Sequence, residues 1–418
     1  MILWQSVSGR TLPTMIGRPG AVVGLAVSLV TALLTPGPHT PPPAPPPGHP
    51  NAPVELRDQR TDFSTTFQHP NGARTVVLSS GPIRARHGAQ WTPLDLTLHR
   101  DPDGGVRPAA APYPVWLSGG GATPDAAAVR GPGGANTALA WDTALPAPTL
   151  QGSTATYPNA RPGANLVVRA TRTGFIGYLA PTGQAAATLS ADVPLRLRLT
   201  GEGAGPELLS SSAPLTGPVG TLADVAVAGR VAASAVAPTR APFDTTAQNN
   251  APTGVLWADP DLRIGSYDGN TVARSWITWD LGPLHAAPPG QVQQASLRLY
   301  SEWAASCPPQ GQSQAQPQAW QVWSTPPVGP DTRWGNQPPA EKLWATSTAA
   351  KGPAGCGPGW FTLDLTGLVR SWAQSGAATG TVMLRAVDEQ NQSSWRRFSS
   401  GDGEHVPALG VTIAPAAP

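Results

Sequence analysis

The chain is poor in charge, in lysine and in cysteine, and it lacks the short motifs that mark most enzymes. Charged residues make up 12% of its 418 residues and the formal net charge is +2. No block of like charges occurs, which argues against a nucleic-acid or anionic-lipid surface built on basic runs. Lysine appears twice, at Lys342 and Lys351, against 25 arginines, a skew that fits a GC-rich genome. Gly-x-Ser-x-Gly, His-Glu-x-x-His and Gly-x-x-x-x-Gly-Lys are all missing, so the common esterase, zinc-protease and nucleotide-binding signatures have no counterpart here. The seven histidines (39, 49, 69, 87, 99, 285 and 405) are scattered. Two cysteines make half a zinc site, and neither has a neighbouring histidine, so no metal or other cofactor is expected. Glycoside hydrolysis needs two carboxylates facing each other across a cleft. The adjacent Asp388 and Glu389 would face opposite ways on a strand and read as turn or salt-bridge residues. The expectation is a protein without catalysis.

Long apolar runs are also scarce. Ala21 to Leu34 is the main one, with Arg10 and Arg18 before it and no acidic residue in positions 1–20. Such a helix rises about 21 Å, short of the roughly 30 Å bilayer core. A basic flank followed by a short apolar run fits a secretory signal, with an uncleaved anchor as the alternative. Membrane contact is expected only through this segment. Pro36 to Pro50 then holds nine prolines; fixed φ and missing amide donors predict an extended spacer. Residues 1–36 thus read as signal or anchor and 37–52 as a linker. Both imply an exported protein, extracellular or on the cell surface.

What the chain has in quantity is proline (50), glycine (46) and tryptophan (15). Turn formers at this density, with few charges, favour short strands. Residues 53–238 read as a β-rich N-terminal domain. Its strands include Thr75–Leu78, Leu94–Leu98, Tyr113–Leu117, Leu166–Ala170 and Leu195–Leu199, the last a strict Leu/Arg alternation. Asp101-Pro-Asp-Gly104 reads as a β-turn, since the later ligands of a calcium loop are missing. Residues 241–414 read as a second domain, with about eight strands and one helix from Thr366, capped there and ended at Gly376. The fold class is all-β, the C-terminal part a jelly-roll-like sandwich with one short helix. Eleven of the tryptophans and both cysteines fall in it.

Cys307 and Cys356 lie in Pro/Gly-rich loops. In an exported protein they read as one disulfide, with two separate loop thiols as the alternative. Closing a loop of about 50 residues would stabilise by roughly 4 kcal/mol on the chain-entropy model.

Aromatic rings stack on the apolar faces of sugars, and arginine fixes hydroxyls or carboxylates. Arg274, Arg298, Tyr300, Trp303, Arg385 and Trp395 sit where the alternation points outward or in loops, and are the candidate carbohydrate-binding residues. Core packing is the competing role for each tryptophan. Trp334 and Trp372 are assigned to the core. Arg298 and Arg385 have cross-sheet ion pairing as their alternative.

An ordered set of segments in the second region resembles the DNRLRE domain of secreted bacterial and archaeal proteins, a carbohydrate-binding-module family. The set is Leu262-Arg-Ile-Gly265, Tyr267-Asp-Gly269, Val272 to Leu281, Ala295 to Tyr300, Thr332 to Pro338, Leu363 to Trp372, Leu384 to Glu389 and Trp395 to Phe398, with a cysteine on either side of the Thr332 segment. The hexapeptide that names the family is replaced by Asp259-Pro-Asp-Leu-Arg-Ile264. The first region resembles the segment that precedes such domains in actinobacterial surface proteins, including Rhs/YD-repeat proteins, through His69-Pro-Asn-Gly72, Trp91 to Leu98, Asp103 to Arg107 and Tyr157 to Phe175. The resemblance implies a non-catalytic protein that binds a polysaccharide or cell-wall glycan. The alternative is a structural surface protein whose β domains are spacers or assembly modules.

Overall fold

A computed structural model describes residues 52–88, 90–131, 134–182, 195–200, 230–234, 242–252, 254, 256–257, 259–284, 289–305, 317–352 and 356–415. The expected signal or anchor and all but the last residue of the proline linker lie outside them. No helix among the described residues is long and apolar enough to cross a membrane.

The architecture is all-β, and the first and last described strands share one sheet. Strands β1 (Val54–Glu55), β2 (Ser64–Gln68) and β3 (Arg74–Ser79) form an antiparallel meander. A hairpin follows, β4 (Arg84–His87) and β5 (Gln90–Pro93). Next come β6 (Asp95–Arg100), β7 (Val106–Ala110), β8 (Val115–Leu117), β9 (Asp125–Arg130), β10 (Asn136–Ala140) and β11 (Thr149–Gln151). They continue with β12 (Thr154–Arg161), β13 (Ala164–Ala170), β14 (Gly174–Pro181), β15 (Arg196–Thr200) and β16 (Arg230–Ser234). The last stretch holds β17 (Phe243–Gln248), β18 (Asp261–Ile264), β19 (Ala273–Asp280), β20 (Val292–Ala304), β21 (Trp320–Ser324), β22 (Lys342–Ser347) and β23 (Gly359–Asp364). After helix α1 (Thr366–Ser375) come β24 (Thr379–Ala386), β25 (Arg396–Ser399) and β26 (Ala408–Ile413).

These strands make two sandwiches. In the host, an eight-stranded sheet ordered β1-β2-β3-β26-β20-β25-β18, with β23 also on β20, faces a five-stranded sheet ordered β17-β19-β24-β21-β22. Leu297, Leu299, Phe361, Phe398, Leu409 and Val411 from the first meet Ile277, Trp279, Trp320, Val322, Val382 and Leu384 from the second. In the other sandwich, β15-β10-β9-β8-β7-β6 faces β11-β12-β13-β14-β16, around Leu117, Val129, Leu139, Tyr157, Leu166 and Phe175. This second sandwich is inserted between β3 and β17 of the host.

The assignment of residues 54–79 to the N-terminal domain therefore needs correction. Strand β3 pairs along its whole length with β26, from Arg74↔Ile413 to Ser79↔Ala408, so residues 54–79 complete the C-terminal sheet. The pairing spans more than 300 residues of sequence, and a local pattern of alternation carries no record of its partner.

Period-two alternation does set the strands. Along β20, Ala295, Leu297 and Leu299 turn inward, while Ser296, Arg298, Tyr300 and Glu302 face outward. Leu195 and Leu197 are buried and Arg196 and Arg198 exposed, as the Leu/Arg alternation predicts. The Pro162-Gly163 loop between β12 and β13 has Gly163 at φ 74°, the left-handed position that a Pro-Gly turn needs. In α1, Leu368 and Val369 face the core and Gly376 closes the helix at φ 63°. Thr366 does not cap as expected. Leu365 holds the N-cap position, and Asp364 Oδ1 accepts the Thr366 N–H at 2.8 Å and its hydroxyl at 2.5 Å. These bonds hold the Asp364 carboxyl below its usual range. The Thr366 hydroxyl also accepts from the Ala295 N–H at 2.9 Å, tying the helix to β20.

Candidate functional site

The six residues proposed from sequence do not gather in one groove. They divide among an interior cluster and the outer faces of the two host sheets.

Trp303 and Trp395 are interior, 5% and 1% exposed, and form a satellite cluster with Ala273. Tyr267 meets Trp395 edge-on at 5.0 Å. As sugar-stacking candidates both are corrected to core. A register shift between Ser301 and Trp303 accompanies the β20–β25 pairing. Alternation along one strand does not disclose which rings a neighbouring strand covers.

Arg274 and Arg385 lie on the outer face of the five-stranded sheet, where Glu389 engages both. Arg274 donates to both carboxylate oxygens of Glu389 at 2.7 Å, and to Gln337 Oε1 at 2.9 Å. Its guanidinium sits over Trp334 at 5.1 Å. Arg385 approaches Glu389 at 3.7 Å. This bidentate pair fastens the segment carrying Trp334 and Gln337 over Trp276 and Met383, and its donors are consumed by the fold. Asp388 Oδ1 accepts the Gln390 N–H at 3.1 Å, so the two adjacent acids have turn and ion-pair roles.

Arg298 and Tyr300 lie on the outer face of the eight-stranded sheet, and here the structure adds residues that sequence did not nominate. Register places Trp360 of β23 opposite Tyr300. Tyr300 stacks on His405, ring centroids 3.6 Å apart and 10° from parallel. Trp360 stands edge-on to both, at 5.4 Å and 5.8 Å. The Arg298 guanidinium covers the Trp360 ring at 4.7 Å. Glu302 closes the row, its Oε1 3.6 Å from His405 Nδ1. Burial, with Glu302 and Glu404 nearby, pushes the Tyr300 phenol above its usual range.

The row runs Glu302, His405, Tyr300, Trp360, Arg298. Ring faces are partly used within it: His405 covers one face of Tyr300 and Arg298 one face of Trp360. What remains for a ligand is a line of polar tips, the Tyr300 hydroxyl, the His405 imidazole, the Glu302 carboxylate and the Arg298 guanidinium, between ring edges. Arg298 makes no hydrogen bond or ion pair among the described residues, so its donors are available. Sequence could not assemble this row. His405 is a lone loop histidine, and the Tyr300–Trp360 contact depends on a pairing across sixty positions of chain.

Among the described residues no group of three or more His, Cys, Asp or Glu is placed to hold a metal ion. Asp101-Pro-Asp-Gly104 is a turn: the Asp101 carbonyl accepts the Gly104 N–H at 3.0 Å, the Asp101 N–H donates to the Gly105 carbonyl at 2.9 Å, and the carboxylates of Asp101 and Asp103 engage Arg107. Cys307, one half of the expected disulfide, lies outside the described residues. No family model and no curated protein matches the chain.

Proposed function

We propose that this is an exported, non-catalytic protein that binds a polysaccharide of the cell envelope through the outer face of the eight-stranded sheet, as the DNRLRE-like segments suggest. The observation that carries the reading is Arg298: a guanidinium parked on Trp360, without a carboxylate among the described residues, beside Tyr300 and His405 on a solvent-facing sheet. Arginine in that state offers a planar fork of donors to hydroxyl or carboxylate oxygens. The Tyr300 hydroxyl and Glu302 supply further donor and acceptor positions along the same strand, with i and i+2 residues about 6.8 Å apart. A row of this kind suits an extended polymer lying along β20. In this reading Cys307 is the partner of Cys356, and their bond braces the loop that enters β23.

A structural role is the second reading. It is favoured by the self-stacked rings, since His405, Tyr300, Trp360 and Arg298 already satisfy much of one another's surface.

Retention of the full chain on a panel of insoluble cell-wall polysaccharides, together with a glycan array, separates the two. Binding that is lost in Arg298→Ala and Tyr300→Ala but kept in Arg274→Ala supports recognition by this face. Absence of retention on every polymer, by oxidised and folded protein, supports the structural role. Residues 241–414 alone are unsuitable for the test, because β26 would lose β3.

A further inference from the structure

Where the inserted sandwich meets the host, the contact is a polar seam. The turn between β13 and β14 reaches the loop between β25 and β26. Arg172 donates to three carbonyls, of Gly403 at 2.7 Å, Pro82 at 2.9 Å and Glu404 at 2.9 Å. Thr173 donates its N–H at 2.9 Å and its hydroxyl at 2.5 Å to Asp402 Oδ1. The loop that carries these acceptors is pinned from the host side by Asp244 on β17. Its Oδ2 accepts from the Ser80 hydroxyl at 2.9 Å and the Gly401 N–H at 2.5 Å. The backbones cross so closely that a Cβ on Gly81 would lie 2.0 Å from the Gly401 carbonyl oxygen.

The charges around Asp244 do not balance. Asp402 faces it from the loop and Asp259 from the segment before β18. The cations beside those acids are Arg263 on β18 and Arg172 from the insert. Arg263 is committed to Asp259 at 2.6 Å. Arg172 lies beside Asp402 and Glu404. Asp244 is 4% exposed and has hydrogen-bond donors, but no cation pairs with it among the described residues. A buried carboxylate in that position is favoured as the neutral acid. Burial is the main cause of a carboxyl value pushed up to about 8; the Gly401 amide and Ser80 hydroxyl oppose the rise, while Asp402 and Asp259 add to it. Once ionised, Asp244 needs water and repels Asp402. Gly401, which donates to it, belongs to the loop 401–404 that holds Arg172 and Thr173.

We propose that this seam is a proton-dependent joint: neutral Asp244 keeps the β25–β26 loop closed on Arg172 and Thr173, and ionised Asp244 releases the inserted sandwich from the host while both stay folded.

Amide exchange of the full chain, corrected for its intrinsic pH dependence, tests the joint at Gly401 and Thr173. Protection at both amides is expected to fall with rising pH, by up to tenfold per pH unit below the folded carboxyl value and levelling off above it, while β13 and β20 keep theirs. Asp244→Asn is expected to hold its protection throughout. Unchanged protection in the wild type, or equal loss in the variant, overturns the joint. The carboxyl carbon shift of Asp244 in the wild type gives a reading that needs no variant. Titration in step with the loss of Gly401 protection supports the joint, and a carboxylate already ionised at neutral pH overturns it.

Discussion

The inserted sandwich closes around alanine, valine and leucine, with Trp141, Tyr157 and Phe175 as its large members. The host closes around Trp279, Trp320, Phe361 and Phe398 and keeps further indoles in two satellite clusters. A second contrast is sharper. Among the described residues the insert's buried polar groups are Ser118, Thr171 and Thr173, whereas the host buries Asp244, Asp259, Asp402, Arg263 and Arg396. Buried charges seldom add stability over well-packed apolar residues, and they fix particular neighbours in place. The host thus carries the costly interior, and the same sandwich holds the solvent-facing row from Glu302 to Arg298. Its β25–β26 loop joins the two features: residues 401–404 make the seam, and His405 follows directly and stacks on Tyr300.

Separate cores joined by a polar seam predict separable unfolding. Trp320→Ala should lower the host transition by about 3–5 kcal/mol, and Phe175→Ala should do the same for the insert. Calorimetry on the full chain checks this, and a single transition moved equally by both would erase the distinction. A loss of about 3–5 kcal/mol is also expected for Arg263→Met, which takes the guanidinium away from buried Asp259. Adding Asp259→Leu should recover most of it, as read by urea unfolding.

Titration should distinguish the two sandwiches as well. Asp244 has a folded-state value of about 8, above its unfolded carboxylate range. The folded protein therefore holds a proton that the unfolded chain releases. The contribution to stability is full below pH ~4 and is lost as pH rises through the folded value. The host transition should weaken over that window in the wild type and stay flatter in Asp244→Asn. Scans at several pH values decide it. The smallest effect belongs to the insert: Tyr157→Phe removes the hydroxyl that donates to the Ser118 carbonyl at 2.6 Å, for about 1 kcal/mol.

Much of the fold was legible in local pattern. The runs at Thr75–Leu78 and Leu166–Ala170 and the Leu/Arg alternation at 195–199 placed strands where they lie, and Gly376 marked the end of the helix. Edge strand β22 carries little pattern of its own, since Lys342–Ser347 has no buried residue. The insertion was illegible, since β3 and β26 find each other across the whole intervening sandwich. Among the candidate residues, outward position was right for Arg298 and Tyr300. It misled at Trp303 and Trp395, whose covering neighbours come from other strands. Arg274 looked free in sequence because its partner Glu389 lies 115 positions away.

The most direct test of the recognition face is backbone amide exchange on the full chain, with and without a cell-wall polysaccharide that retains it. Added protection at residues 296–302, 359–362 and 403–406 is the predicted result, absent in Arg298→Ala. Protection confined to residues 383–389 and 333–337, the Arg274–Glu389 face, would contradict it, as would retention by the Arg298→Ala and Tyr300→Ala variants equal to that of the wild type.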